Sequence, residues 1–301
     1  MYTIVSNMSG VLTTQPIPYQ GSKRNIALTI LNNFPDEVNC LLEPFAGSAA
    51  ISLAAAHRKK AISFVVNDSY EPLMELWKMI LNNPEQCIDD YSKLWHEQLN
   101  NPNEFYFQVR EAFNKDNDPI KFLYLMTRCA KNAVRFNSKG DFNQSPDKRR
   151  LGRKPEVMRD HIMTTHNLLQ GKTTLKSLDY EEILDMAQPG DLVYMDPPYQ
   201  GTSTKKNPRY HQGLDFDRFV VNLEKLNERG VAFIVSFDGK LGEKEYGKPL
   251  PDYLNLSRIE IHAGRSSQST LNGKNEKTIE SLYVSQTLEP KIITQLTLVT
   301  V

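Results

Sequence analysis

Residues 193–201 read VYMDPPYQG and place a carboxylate, two prolines and an aromatic ring directly after an apolar run. The prolines cannot continue a strand or a helix, so they fix the chain just after Asp196. The Asp196 carboxylate and the Pro197 carbonyl are two acceptors, which match the two donors of an amino group. Tyr199 offers a flat face on which a planar ring can stack. The stretch therefore indicates a site for an amino group on an aromatic ring, such as adenine or cytosine, although DPPY alone also suits a surface turn after a strand.

Three further positions indicate a bound nucleoside. Glu43 opens the stretch EPFAGSAA, in which Gly47 and the small residues after it allow a ligand to approach the backbone closely. Asp68 ends the next predicted strand, where an acidic residue often binds ribose hydroxyls. The stretch is not G-x-G-x-x-G, and Gly21 is followed by Ser22 instead of lysine, so neither a pyrophosphate cradle nor a Walker A loop is predicted. Taken singly, EPFAG is also typical of any strand-to-helix turn, and Asp68 of a helix N-cap.

The elements that position these side chains follow an α/β pattern. Short apolar runs such as 61–66 alternate with segments of helical periodicity, and the alternation is interrupted in the middle of the chain. Such alternation predicts a mostly parallel sheet whose ligand lies beyond the carboxyl ends of the strands. We predict one α/β domain, residues 1–75 and 172–301, with a mainly helical insertion at residues 76–171.

The composition is that of a soluble globular protein, with 40% hydrophobic and 24% charged residues among 301. There is no export signal at the start and no apolar run near the ~20 residues of a membrane span, so we expect a cytoplasmic protein without a membrane partner. Three scattered cysteines, Cys40, Cys87 and Cys129, are typical of reduced core thiols. None of the six histidines has metal-ligand spacing, and no metal is expected. Because the formal net charge is +0, binding to nucleic acid would require a local basic patch.

Several stretches together resemble the Dam-like DNA adenine N6-methyltransferases, over nearly the whole chain. Besides DPPY they are YQGSKRN at 19–25, EPFAGSAAI at 43–51, NDSYEPLMELW at 67–77, RFNSKGDFNQS at 135–145 and GRSSQSTLNGK at 264–274. Ser22 stands where the family has the second glycine of its N-terminal motif. The resemblance implies an α/β fold: a Rossmann-like S-adenosylmethionine-dependent methyltransferase sheet with an inserted, mainly helical target-recognition domain. It also implies double-stranded DNA as the partner, and admits a cognate restriction endonuclease as a second one.

The same resemblance assigns roles in cofactor binding. It implies contacts with S-adenosylmethionine for Tyr19, Lys23, Asp68 and Asp196, and a place near the adenine of that cofactor for Asp179 and Tyr180. The predicted cofactor-binding residues are Tyr19, Lys23, Glu43, Phe45, Gly47, Asp68, Asp179, Tyr180 and Asp196.

The predicted catalytic residues are Asp196, Pro197 and Tyr199. The exocyclic nitrogen of adenine is a poor nucleophile because its lone pair is conjugated with the ring. Accepting both of its hydrogens favours a tetrahedral nitrogen with the lone pair aimed at the methyl group, so catalysis consists mainly of positioning and electrostatics. A base inside a duplex is out of reach and has to be flipped out, after which Tyr199 replaces its lost stacking.

A densely basic stretch, DKRRLGRKPEVMR at 147–159, follows the hairpin-like VRFNSKGDFN. A charge run is usually a solvated face, but in an insertion of this kind phosphate contact is the better interpretation. We predict phosphate contacts for Lys148, Arg149, Arg150 and Arg153. For the hairpin we predict DNA contacts, including contacts with base edges, by Arg135, Asn137, Asn143 and Gln144.

The sequence thus predicts a site-specific adenine-N6 DNA methyltransferase, which would belong to a restriction-modification system or be an orphan or phage enzyme. A cytosine-N4 methyltransferase needs the same amino-group geometry and stays open as an alternative. A catalytically silent DNA-binding subunit also stays open, although the intact DPPY argues against it.

Overall fold

Strands and helices alternate in the first and last parts of the chain, and helices fill the middle. The computed structural model describes residues 3–5, 14–198, 214–241, 244–246, 248–265 and 277–288. The described strands are β1 (Thr3–Val5), β2 (Val38–Glu43), β3 (Ala61–Asn67), β4 (Thr173–Lys176), β5 (Leu192–Met195), β6 (Ala232–Leu241), β7 (Lys244–Tyr246), β8 (Ser257–Arg265) and β9 (Lys277–Val284). The described α-helices are α1 (Ala27–Leu31), α2 (Ala50–His57), α3 (Glu71–Asn82), α4 (Pro84–Glu97), α5 (Pro102–Asp116), α6 (Pro119–Arg128), α7 (Pro155–Leu169), α8 (Tyr180–Met186) and α9 (Phe216–Glu228).

The strands form one sheet in the order β1-β8-β9-β6-β5-β2-β3-β4, with β7 paired to β6. From the central β2 the chain moves outward through β3 to β4, and then returns to the other side of β2 with β5 and β6. All of these neighbours are parallel, whereas β9 is antiparallel to both β6 and β8. The direction of winding reverses between β2 and β5, and this switch point is where open α/β sheets bind their ligands. The predicted Rossmann-like α/β fold is confirmed.

Burial explains the central strands and the helix that covers them. All four residues of β5 are buried, as expected for a strand covered on both faces. Helix α9 begins after Asp215, whose carboxylate caps it by accepting a hydrogen bond from the Arg218 N–H at 3.1 Å. It buries Phe219 and Leu223, four residues apart, on the face turned to the sheet. Within the described residues, no helix is both long enough and apolar enough to cross a membrane.

The middle of the chain is helical, from α3 to α7. Four of these helices begin with a proline, a residue that suits the first helical turn because its missing N–H has no partner there. The predicted boundary at residue 76 falls inside α3, and one continuous apolar cluster contains Phe64 of β3 together with Tyr91 and Phe122 of the middle helices. The helical segment therefore shares its core with the sheet, and its division from the catalytic part at residues 76–171 stays a prediction.

Candidate active site

The loop after β2 is held in place through both polar groups of Gly47. The Gly47 N–H donates to Asp68 Oδ2 at 3.1 Å, and the Gly47 carbonyl accepts from Trp77 Nε1 at 3.0 Å. Gly47 has a φ of 50°, and a Cβ at this position would lie 3.5 Å from the Tyr19 ring. The other Asp68 oxygen, Oδ1, accepts from the Tyr70 N–H at 3.0 Å. The Asp68 carboxylate thus links the ends of β2 and β3. The helix-cap interpretation of Asp68 is wrong, because Tyr70 occupies the N-cap position of α3 and the Asp68 side chain is bonded to the N–H of that residue.

Asn67, the last residue of β3, fixes the neighbouring loops, and the sequence analysis did not select it. Its side chain is fully buried. It donates to the carbonyls of Pro44 at 2.9 Å and Leu178 at 3.1 Å, and accepts from the Leu178 N–H at 2.8 Å. An amide with two donors and an acceptor satisfies all three groups, which neither aspartate nor serine could do. The sequence feature that could have identified Asn67 is its position as a polar residue at the end of an otherwise apolar strand.

Glu43 ends β2 in the interior of the protein. Its side chain is 3% exposed, and Oε2 accepts a hydrogen bond from the Ser52 N–H at the start of α2, at 2.8 Å. Burial raises the pKa of the Glu43 carboxyl to about 7, with a smaller upward contribution from the charge of Asp196. Glu43 therefore joins the β2 end to α2 and adds negative potential to the site.

Asp196, the residue directly after β5, is paired with Lys23. The Lys23 ammonium lies 3.1 Å from Asp196 Oδ1 and 3.3 Å from Oε2 of Glu280 on β9. Burial raises the pKa of the Asp196 carboxyl to about 6, and the nearby Lys23 charge opposes that rise. The Asp196 side chain is 22% exposed, and the lone pairs of Asp196 Oδ2 and of the Pro197 carbonyl oxygen are acceptors. Both atoms can accept a donor from outside the chain.

An aromatic pair joins the segments that follow β2 and β4. The rings of Phe45 and Tyr180 are 5.1 Å apart, and Tyr180 begins α8 just after β4. The neighbouring Asp179 caps α8 by accepting from the Glu181 N–H at 3.0 Å, and forms an ion pair with Arg218 at 3.2 Å. Asp179 thus has a structural task of its own, in addition to its predicted place near a cofactor.

The predicted site residues that touch one another are Asp68 and Gly47, Tyr19 and Gly47, Lys23 and Asp196, and Phe45 and Tyr180. They lie where β2, β3 and β5 end and where the sheet changes its winding direction. Tyr199 lies outside the described residues. Among the residues that are described, no group of three or more histidines, cysteines and acids is arranged to hold a metal ion.

A short hairpin at residues 135–143 belongs to the predicted DNA-binding set. Phe136 and Phe142 pair across it in an antiparallel bridge, and the Asn143 N–H donates to the Arg135 carbonyl at 2.9 Å. The Arg135 guanidinium donates to Gln20 Oε1 at 3.2 Å. The hairpin therefore contacts the segment that carries Tyr19 and Lys23.

Two of the predicted hairpin residues form internal contacts. Asn137 Oδ1 accepts from the N–H groups of Lys139 at 2.8 Å and Asp141 at 2.9 Å, so its side chain shapes the turn. Gln144 donates to the Ala130 carbonyl at 3.3 Å. Lys139, which the sequence analysis passed over, is exposed at the tip.

Three of the predicted phosphate-binding residues are exposed on a loop after the hairpin. Lys148 is exposed, and the side chains of Arg149 and Arg150 are each 74% exposed, beside Asp147. The loop is supported from below by Arg128, which is 1% exposed and donates to the carbonyls of Asp147 and Arg150. The cationic side chains of Lys148, Arg149 and Arg150 are therefore exposed to solvent, on a loop whose backbone is held by Arg128.

The fourth, Arg153, has a different environment. Its guanidinium donates to the Gln15 carbonyl, and its own carbonyl accepts from the Tyr91 hydroxyl at 2.5 Å. Arg153 is partly buried and ties the N-terminal segment to the helical part, which leaves it less available to a phosphate than the exposed arginines.

The chain is similar to DNA methyltransferases over most of its length. Residues 19–257 match the family model described as D12 class N6 adenine-specific DNA methyltransferase. A Type II methyltransferase, M.MjaIII, of Methanocaldococcus jannaschii is 26% identical over 254 residues, 75% of this chain and 87% of that protein. Another, M1.LlaDCHI of Lactococcus lactis subsp. cremoris, is 25% identical over 88% of this chain and 94% of its own. The DNA adenine methylase of Haemophilus influenzae is 24% identical, over 73% and 78% respectively.

Proposed function

Because the chain belongs to the D12 class of N6 adenine-specific DNA methyltransferases, we propose that Asp196 and the Pro197 carbonyl hold the adenine amino group during methyl transfer. The observation that carries this proposal is the pairing of Asp196. Lys23 lies 3.1 Å from Oδ1, and the Asp196 side chain is still 22% exposed, so a ligand can approach the carboxylate. Membership in the family favours adenine over the cytosine-N4 alternative, and an enzyme over a silent subunit.

The two acceptors act on the geometry of the target nitrogen. When Oδ2 and the Pro197 carbonyl each accept one N–H, the nitrogen lone pair leaves the plane of the ring and points toward the methyl group. Lys23 keeps the Asp196 carboxylate ionised and fixed, so the acceptor needs no reorganisation at the moment of transfer. The protein needs no covalent intermediate for this step.

The residues present fit S-adenosylmethionine as the methyl donor. Gly47 lacks the Cβ that would stand between the loop backbone and a ligand, beside the Tyr19 ring. Asp68 can accept ribose hydroxyls with its remaining lone pairs, and the Phe45 and Tyr180 rings offer apolar faces to an adenine. When bound, this cofactor would supply a methyl group on a sulfonium: the amine nitrogen would take the methyl carbon, the thioether would leave with the electrons of the C–S bond, and the nitrogen would lose one proton.

Duplex DNA is the proposed substrate, with the target base flipped out toward Asp196. The exposed Lys148, Arg149 and Arg150 suit phosphate contacts, and the hairpin at residues 135–143 suits a groove. Two of the relatives are named Type II methyltransferases, which supports action beside a cognate restriction endonuclease. We place this activity in the cytoplasm, where the DNA of a bacterium lies.

The test is methyl transfer in a single turnover by Asp196→Ala. This variant loses one acceptor, while Lys23 keeps Glu280 as its partner at 3.3 Å, so the fold should survive. The rate should fall by about 10²–10³-fold, the effect of removing one positioned electrostatic contact. Asp191→Ala, at the opposite end of β5, is the matched control and should keep its rate. Retention of more than about a tenth of the wild-type rate by Asp196→Ala would remove Asp196 from this role.

A further inference from the structure

Glu280 lies beside the proposed amino-group site, although it is outside the matched residues 19–257 and was not predicted from the sequence. It is on β9, the strand that runs antiparallel between β6 and β8. The pairing of β6 with β9 shifts between Ser236 and Gly239, and Gly239 is the partner of Glu280. Such bulges often occur next to active sites, where they redirect a side chain.

The Lys23 ammonium is shared between two carboxylates. It lies 3.1 Å from Asp196 Oδ1 and 3.3 Å from Glu280 Oε2, and the Lys23 side chain is only 6% exposed. Glu43, also buried, adds a third carboxylate to the same region. The Lys23 ammonium therefore has two carboxylates within ion-pair distance, and the charges of Asp196 and of a third carboxylate, Glu43, act on each other.

We propose that Glu280 is a positioning residue for methyl transfer, which draws part of the Lys23 charge away from Asp196 and so keeps the Asp196 carboxylate a strong acceptor for the adenine amino group. This inference rests on the proposed role of Asp196. With Glu280 present, the ammonium is divided between two partners. Without the Glu280 carboxylate, more of the ammonium charge would act on Asp196, and Oδ2 would accept the adenine N–H more weakly.

The charges around Asp196 give this role a measurable signature. Four groups face it from different elements: Lys23 before α1, Glu280 on β9, Glu43 on β2 and Tyr194 on β5. Lys23 lowers the pKa of Asp196 and Glu280 raises it. A protonated Asp196 has one acceptor fewer, so transfer should fall as the pH drops through the pKa of about 6. This fall in rate is the acidic limb of the pH–rate profile, and removing the Glu280 charge should move it to lower pH.

The experiment compares Glu280→Gln with the wild-type enzyme in single-turnover transfer of labelled methyl groups from saturating S-adenosylmethionine, over a pH series. The acidic limb should shift down by roughly one pH unit, at the low end of what a neighbouring charge does. The plateau rate should fall about tenfold, less than the ~10²–10³ of a contact made directly with the reacting group. Glu260→Gln is the matched control, because Glu260 is on the adjacent strand β8 and pairs with Arg258 at 3.9 Å. It should reproduce the wild-type profile.

A second charge-removing variant guards against a fold defect. Glu280→Thr places a strand-favouring residue in β9 and should shift the limb in the same direction. The role of Glu280 is overturned if a variant with the thermal stability of the wild type keeps the wild-type acidic limb of the pH–rate profile while Asp196→Ala is inactive. That result leaves the proposed function standing. Full activity of Asp196→Ala would instead overturn the proposed function and this inference with it.

Discussion

Glu43→Gln should make the protein more stable at alkaline pH and change its stability little at acidic pH. The Glu43 side chain is 3% exposed, and burial raises the pKa of its carboxyl to about 7. In the unfolded chain the same group ionises near the ordinary glutamate pKa of about 4.3. Glutamine keeps the shape and an oxygen that can accept from the Ser52 N–H, so the bond at the start of α2 can be retained.

The direction of the stability change with pH depends on whether the folded or the unfolded protein binds the Glu43 proton more tightly. Since the pKa of Glu43 is higher in the folded protein, its contribution to stability is complete below the unfolded pKa and is lost as the pH rises through about 7. One pKa unit corresponds to ~1.4 kcal/mol, so ionised Glu43 lowers the free energy of unfolding by about 3.5 kcal/mol at about pH 8. Glutamine has no charge to desolvate and should recover this amount.

The assay is urea denaturation of the wild type and Glu43→Gln from about pH 5 to about pH 8. The difference in the free energy of unfolding should grow from ~1 kcal/mol to about 3.5 kcal/mol across this range. Glu111→Gln, an exposed position on α5, is the control and should show no such growth. A difference that stays constant with pH, or a less stable variant at about pH 8, would refute the assignment of Glu43 as a destabilised buried carboxylate.

Two further outcomes are expected from the structure. Asn67→Ala should lower the free energy of unfolding by about 2–5 kcal/mol in urea, because three buried backbone groups lose their partner; a loss below ~1 kcal/mol would show that those groups find other partners. Replacing Arg149 and Arg150 by alanine should weaken binding to cognate and scrambled duplexes alike and reduce the salt slope by roughly one per lost phosphate contact. The control is Arg159→Ala, which should leave the salt slope unchanged because the Arg159 cation already pairs with Glu85 at 2.8 Å. If the Arg149 and Arg150 double variant lost sequence specificity but kept its salt slope, the basic stretch would contact bases instead of phosphates.

The strand ends could be predicted because they depend on local pattern. Each of Glu43, Asp68 and Asp196 follows an apolar run, and in a parallel sheet the ends of such runs meet at one edge. Trp77 is fully buried, and its bond to the Gly47 carbonyl could not be foreseen from the sequence, since this bond depends on how α3 packs.

Contacts between distant parts of the chain could not be predicted in this way. The approach of Glu280 to Lys23 requires the order of strands and the register of β9, neither of which has a local signature. The partial burial of Arg153 was likewise not predictable, because the number of charged residues in a stretch does not indicate which of them are buried. Lys23 itself was selected through the resemblance alone.

The interior position of β9 also constrains the order in which the protein can form. It is the last described strand, yet it lies between β6 and β8, which have no hydrogen-bonded contact with each other in its absence. During synthesis both strands leave the ribosome before their common neighbour, and each exposes an unpaired edge of the kind that recruits other chains. The ion pairs of Lys23 are also completed late, since one of the carboxylates beside it, Glu280, is on β9. A site whose first and last parts are more than 250 residues apart is assembled late, through slow non-local pairing, and is exposed to misassembly until then.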